Sequence, residues 1–89
     1  MLIQLNNNYS LTVQPHLKGV RLIVLDNGNE YVCRKESFKN LTAFMALTEG
    51  QIFKGRLQLH KYHQNITVQV KGKALGTITL DHLKAFIPA

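Results

Sequence analysis

Of the 89 residues only one is cysteine (Cys33), two are proline, none is tryptophan and five are acidic. A small secreted domain commonly relies on several paired cysteines, so a lone one points to a reducing, cytoplasmic setting. Three segments, Asn8-Tyr9-Ser10, Asn40-Leu41-Thr42 and Asn65-Ile66-Thr67, have the form of glycosylation sequons. Met1 to Tyr9 nevertheless has neither the positive start nor the apolar stretch of a secretory signal, so these asparagines are read as turn and helix-start residues. No apolar run approaches the roughly 20 residues that cross a bilayer, and no membrane partner is expected.

The shortage of carboxylates bears on chemistry. Asp26, Glu30, Glu36, Glu49 and Asp81 are the full set. Glu30 lies beside a turn signal, and Glu36 and Asp81 lie at helix starts, where negative charge suits the helix dipole. No two are spaced as an acid–base couple. Among the histidines His16, His60, His63 and His82, only His60 and His63 are close in sequence, whereas a metal centre needs three or four converging ligands. Lys71-Gly72-Lys73-Ala74-Leu75-Gly76 lacks P-loop spacing and leads into a strand. Cys33, next to Val32 in a strand-like run, reads as a small core hydrophobe. These observations describe a non-enzymatic chain with no metal, no cofactor and no small-molecule substrate.

What the chain does have is positive charge, placed unevenly. Eleven Lys and Arg give a net charge of +6. Residues 1–49 hold five of them against four acids, whereas residues 50–89 hold six (Lys54, Arg56, Lys61, Lys71, Lys73 and Lys84) against Asp81 alone. A field of one sign on one half favours an anionic partner. The 45% hydrophobic content is ordinary for a globular protein, and the length suits a single domain spanning residues 1–89.

Apolar periodicity organises that domain. Leu2 to Leu5 is a short apolar run broken by three asparagines. Tyr9 to Gln14 alternates apolar and polar residues, the mark of a half-buried strand. Val20 to Leu25 is a second strand, Asn27-Gly28 a hairpin turn able to take positive φ at both positions, and Tyr31 to Arg34 the return strand. The period then lengthens. Phe38, Leu41, Phe44 and Met45 predict a helix from about Ser37 to Glu49, with Ser37 as N-cap and Gly50 as stop. The second half repeats this plan: Leu57 and Leu59, then Ile66, Val68 and Val70, then Ala74 to Ile78, then a short helix capped by Thr79 and bearing Leu80, Leu83, Phe86 and Ile87 before Pro88.

Shifting the first half by 46 places Leu11 on Leu57, Val13 on Leu59, Val20 on Ile66, Leu22 on Val68 and Val24 on Val70. A shift of 42 aligns the helices, Ser37 with Thr79, Phe38 with Leu80, Leu41 with Leu83, Ala43 with Ala85 and Phe44 with Phe86. The expected fold is therefore α+β: antiparallel sheets with two helices, built by tandem duplication of a strand-strand-strand-helix unit. Repeat one covers about residues 9–49 and repeat two about 53–88. An approximate two-fold should relate them, since neither unit can bury its apolar face alone.

If Leu57, Leu59, Val68 and Val70 face the helices, alternation puts Lys54, Arg56, Gln58, His60, Tyr62, Thr67, Gln69 and Lys71 on the opposite face, with Lys73 just beyond. Cations for phosphates beside amides and hydroxyls for bases suit single-stranded DNA or RNA. In the first half, Ile23 and Leu25 form an apolar pair on the corresponding outer face. That pair calls for cover, either by Leu2 to Leu5 or by a second subunit in a homodimer.

The runs Tyr9-Ser10-Leu11-Thr12-Val13 and Lys18-Gly19-Val20-Arg21-Leu22-Ile23-Val24, then a hairpin and Ser37-Phe38-Lys39-Asn40-Leu41, resemble the repeat of the Pur-alpha and Whirly-type single-stranded nucleic-acid-binding proteins. The resemblance implies duplicated or dimerised strand-and-helix units whose curved sheets bind single strands. The sequence-based expectation is thus a module binding single-stranded nucleic acid through Lys54, Arg56, Gln58, His60, Tyr62, Gln69, Lys71 and Lys73. The alternative is a protein-interaction or homo-oligomerisation module using Ile23 and Leu25.

Overall fold

Alternation in the first forty residues yields four consecutive strands. In a computed structural model of the chain, which describes residues 2–86, these are β1 (Leu2–Gln4), β2 (Tyr9–His16), β3 (Gly19–Asp26) and β4 (Asn29–Ser37), paired antiparallel in chain order. Helix α1 (Phe38–Met45) follows. The plan then recurs as β5 (Glu49–Ile52), β6 (Leu57–Tyr62), β7 (Asn65–Val70) and β8 (Lys73–Thr79), a second antiparallel four-stranded sheet closed by α2 (Leu80–Lys84). The α+β class and the antiparallel sheets match the sequence reading. Each unit, however, has four strands where three were expected.

The extra strands explain where the helix boundary was misplaced. The predicted helix to Glu49 stops at Met45, and Ala46 donates back to the Thr42 carbonyl. Beyond it the chain is drawn into the second sheet. The His63 amide donates to the Thr48 carbonyl at 2.7 Å, and Lys61 Nζ donates to the Leu47 carbonyl. Gly50 is therefore not a helix stop but a strand residue opposite Lys61, where an added Cβ would lie 2.5 Å from Leu47 Cδ1. The second helix ends at Lys84, so the proposed helical place of Ile87 and the stop at Pro88 lie outside the described residues. β1 also accounts for Pro15. It covers β2 only from Ser10 to Thr12, so one side of β2 is free of a neighbouring strand at the proline.

The core sits where alternation put it. Leu11, Val13, Val20, Leu22 and Val24 are at most 4% exposed, and Leu57, Leu59, Ile66, Val68 and Val70 at most 2%. They join Leu41 and Phe44 of α1 and Leu80 and Leu83 of α2 in one cluster, so the inner faces of both sheets share a single core. The offsets of 46 and 42 hold in three dimensions. The ladder pair Gly19–Ser37 becomes Asn65–Thr79, and Leu22–Arg34 becomes Val68–Gly76. Ser37 Oγ accepts from the Asn40 amide and Thr79 Oγ1 from the His82 amide, giving both helices the same N-cap. The amide of the first helical residue reaches the turn before β3 or β7 in each unit, Phe38 to the Lys18 carbonyl and Leu80 to the Gln64 carbonyl.

The two units meet along two seams. In one, the Leu5–Asn8 connection approaches β8, and the Asn6 amide donates to the Leu75 carbonyl at 2.9 Å. In the other, the equivalent Phe53–Arg56 connection approaches β4. There Arg34 places its guanidinium 4.8 Å above the Phe53 ring. Among the described residues no helix is long and apolar enough to cross a membrane.

Candidate nucleic-acid interface

Cross-strand pairing defines the outer face of the second sheet row by row. Gln58 lies opposite Gln69, and Gln69 opposite Ala74. Gln51, His60, Thr67 and Thr77 form the next row, and Glu49, Tyr62, Asn65 and Thr79 the last. Of the residues expected on this face, Gln58, His60, Tyr62 and Gln69 are there. Gln58, His60 and Gln69 are half-buried, and Tyr62 is 60% exposed. His60 Nε2 is 3.1 Å from Gln58 Oε1, and the Tyr62 ring meets His63 edge to face at 4.3 Å. The surface is thus a nearly neutral grid of amides, hydroxyls and imidazole, with Glu49 as its carboxylate.

The cations are not within that grid. Lys54, Arg56 and Lys71 were expected to share the face with the amides and Lys73 to lie just beyond, and the structure gathers all four at its end. β6 begins only at Leu57, so Lys54 and Arg56 belong to the connection that turns at Phe53, whose φ is 75°. Lys71 and Gly72, with φ of 53° and 80°, form the β7–β8 turn, and Lys73 begins β8. Strand alternation does not extend through either turn. The two segments converge, because the Lys71 amide donates to the Arg56 carbonyl at 2.9 Å. A four-cation rim therefore borders the grid on one side, and Tyr62 and His63 border the other. The five residue steps along β6 from Leu57 to Tyr62 separate them by about 17 Å.

Two first-half residues that the sequence reading did not single out join this rim. Arg34 reaches it from β4, its Nη1 3.4 Å from the position of a Cβ built on Gly55. Tyr31, also on β4, carries Lys71 Nζ 4.8 Å above its ring. Glu30 to Arg34 on one side and Arg56 and Leu57 on the other enclose a cleft of about 250 Å³. Nothing in the local pattern of β4 signals this, since alternation shows which face a residue takes but not which other segment approaches it. Among the described residues the one salt bridge is Arg21 to Glu30, at 2.8 Å. Arg34, Lys54, Arg56, Lys71 and Lys73 thus have no carboxylate partner. Contact with Cys33 Sγ, 3.6 Å away, and with Glu30 raises the pKa of Arg21 above its ordinary value.

The apolar pair on the first sheet is less exposed than expected. Ile23 is only 4% exposed and Leu25 is half-buried. Ile23 lies between Thr12 and Cys33 across the ladder, and Arg21 bonds to Cys33 on the same face, so neighbours within the chain supply its cover. Leu2 to Gln4 supplies none from above, because it extends the sheet sideways as β1. Cys33 itself is exposed rather than a core residue. Lys61, one of the six second-half cations, is turned inward and only 6% exposed. No group of three or more His, Cys, Asp or Glu able to hold a metal occurs among the described residues.

No family model matches this chain, and neither a curated protein nor a solved structure does.

Proposed function

We propose that the protein is a non-enzymatic module that binds single-stranded DNA or RNA along the outer face of its second sheet. The observation that carries this is the division of that surface into a neutral hydrogen-bonding grid and a bordering rim of cations without carboxylate partners. Gln58, Gln69, Thr67 and His60 offer donors and acceptors to base edges, and Tyr62 offers a ring for stacking. Arg56, Lys71, Lys54 and Lys73 offer charge to the phosphates that run past the end of the strands. Glu49 lies in the row farthest from the cations, which favours a backbone path along the rim. Duplexed bases have their edges paired and stacked, so a flat amide surface suits an unpaired strand better.

Tandem duplication of a four-strand, one-helix unit supports the same reading. The paired offsets, the matched caps and the matched turn hydrogen bonds are what two copies of one ancestral unit would retain. That unit also resembles the repeat of Pur-alpha and Whirly-type proteins in having four strands before its helix. The oligomerisation alternative draws on Ile23 and Leu25, of which Ile23 is covered within the chain and Leu25 is half-buried.

Fluorescence anisotropy of a labelled oligonucleotide tests the reading. Binding is expected at low salt, stronger for a single strand than for the matching duplex. Tyr62→Ala is expected to weaken it by about 1–3 kcal/mol, the usual worth of one base–aromatic stack. Absence of binding at low salt, or equal affinity for duplex and single strand, overturns it.

A further inference from the structure

The matched ladder registers of the two units make the seams comparable, and they differ. At the Leu5–Asn8 seam, Gly76 lets the opposing backbone come so close that a Cβ there would lie 3.1 Å from Leu5 Cβ and 3.2 Å from the Asn6 nitrogen. The Asn6–Leu75 hydrogen bond then closes it. At the Phe53–Arg56 seam, the ladder position of Gly76 is held by Arg34, opposite Leu22 as Gly76 is opposite Val68. The long side chain stands over Phe53 and beside Gly55, no backbone hydrogen bond joins the Lys54 amide to β4, and the cleft of about 250 Å³ remains.

We propose that this open seam is a phosphate-holding cleft in which Arg34 and Arg56, which line it, and Lys71, which reaches over its Tyr31 wall, take one phosphate group of the bound strand. Two of the three cations are held in place by aromatic rings, Arg34 over Phe53 and Lys71 over Tyr31, each at 4.8 Å. Their positions are therefore set before a ligand arrives. Arg56 lines the cleft without a carboxylate partner, and the one acid in its wall, Glu30, is neutralised by Arg21. Planar guanidinium groups offer paired donors that match phosphate oxygens. At the closed seam Gly76 supplies no cationic side chain and the Leu75 carbonyl accepts from the Asn6 amide, so the anion site exists at one seam only. The phosphate is either a terminal monoester or an internal diester, and both present the same oxygens. The proposal takes the phosphate's source from the nucleic-acid reading, but the cleft can be tested without a strand.

Cys33, the only thiol, is exposed and lines the cleft from the lip where its Sγ meets Arg21, so its alkylation by N-ethylmaleimide reports an anion held across that lip. Inorganic phosphate is expected to slow the reaction saturably relative to chloride at equal ionic strength. Arg56→Gln, at an exposed site with no partner to lose, is expected to weaken that effect about tenfold, the loss of one charge-assisted hydrogen bond. Arg34→Gln serves as a second variant, and Lys18→Gln, at the opposite end of β3, leaves protection unchanged. Phosphate that fails to protect Cys33, or protects wild type and Arg56→Gln equally, overturns the cleft. Protection by phosphate with no binding of any oligonucleotide leaves the cleft standing and refutes the nucleic-acid reading. Salt-dependent oligonucleotide binding that Arg34→Gln leaves untouched, with no protection by phosphate, does the reverse. Stronger protection by a 5′-phosphorylated strand than by its 5′-hydroxyl counterpart assigns the terminal monoester, and equal protection assigns the internal diester.

Discussion

Replacing Gly76 with alanine should open the closed seam, and the cost can be built from its parts. The φ of 157° lies where side-chain-bearing residues rarely go, a strain of about 1–2 kcal/mol. The new Cβ would sit 3.1–3.3 Å from Leu5 Cβ, the Asn6 nitrogen and Leu5 Cα, two of them backbone atoms that move only if the connection moves. Retreat of that connection gives up the Asn6–Leu75 hydrogen bond, about 1 kcal/mol. It also gives up part of the burial of Leu5, which is 7% exposed and worth at most about 1.5–3 kcal/mol. The total is about 2–5 kcal/mol, enough to move the urea midpoint of so small a domain well outside error. Gly72→Ala is the internal control. Its φ of 80° is also left-handed, but a Cβ there meets nothing within 4 Å, so it should cost only the strain, about 1–2 kcal/mol. The excess at position 76 isolates the seam, and exchange of the Asn6 amide should accelerate in that variant alone. Equal losses at the two positions, or an Asn6 amide as protected in Gly76→Ala as in wild type, would refute the reasoning.

Three further outcomes follow from the same geometry. Oligonucleotide affinity should fall with salt at about −0.7 in log K per log salt for each phosphate neutralised, so three to five rim contacts give a slope of about −2 to −3.5. Arg56→Glu with Lys71→Glu should flatten that slope by at least about 1.4 and weaken binding sharply, with the circular dichroism spectrum unchanged; an unaltered slope would contradict the rim. Ile23→Lys should destabilise the chain by about 1.5–3 kcal/mol in urea unfolding, because Ile23 is buried within its own sheet face; a stable variant that only shifts a dimer toward monomer in sedimentation would contradict this. Ser37→Ala and Thr79→Ala should each cost about 1 kcal/mol, since each removes the hydroxyl that caps its helix, and a larger loss at one than at the other would argue against equivalent caps.

Part of the candidate site was legible in advance and part was not, for reasons visible residue by residue. Gln58, His60, Tyr62 and Gln69 were found because they lie inside β6 and β7, where a period of two assigns the face without ambiguity. Lys54, Arg56 and Lys71 were assigned to the same face by extending that period into Phe53–Arg56 and Lys71–Gly72. Those segments turn at positive φ, and face alternation ends with the strand. Arg34, Tyr31 and Phe53 acquire their roles from a neighbour more than a dozen residues away, which no local pattern encodes.

The alternating runs and the change of period at Phe38 and Leu80 determined the α+β class, the ten central core positions of the two hairpins, and both helix caps, because each depends on neighbours within a few residues. The internal offsets of 46 and 42 were also written in the chain, and the ladder registers reproduce them. The tertiary structure decided what depends on distant partners. Glu49 and Gly50 became the start of β5 and not the end and stop of a helix because β6 offered an unpaired edge. Ile23 was buried because Thr12, Arg21 and Cys33 gather around it from three strands. One seam closed and the other stayed open because glycine occupies position 76 and arginine position 34. A backbone can approach to hydrogen-bonding distance over the first, whereas the long cationic side chain of the second holds it away.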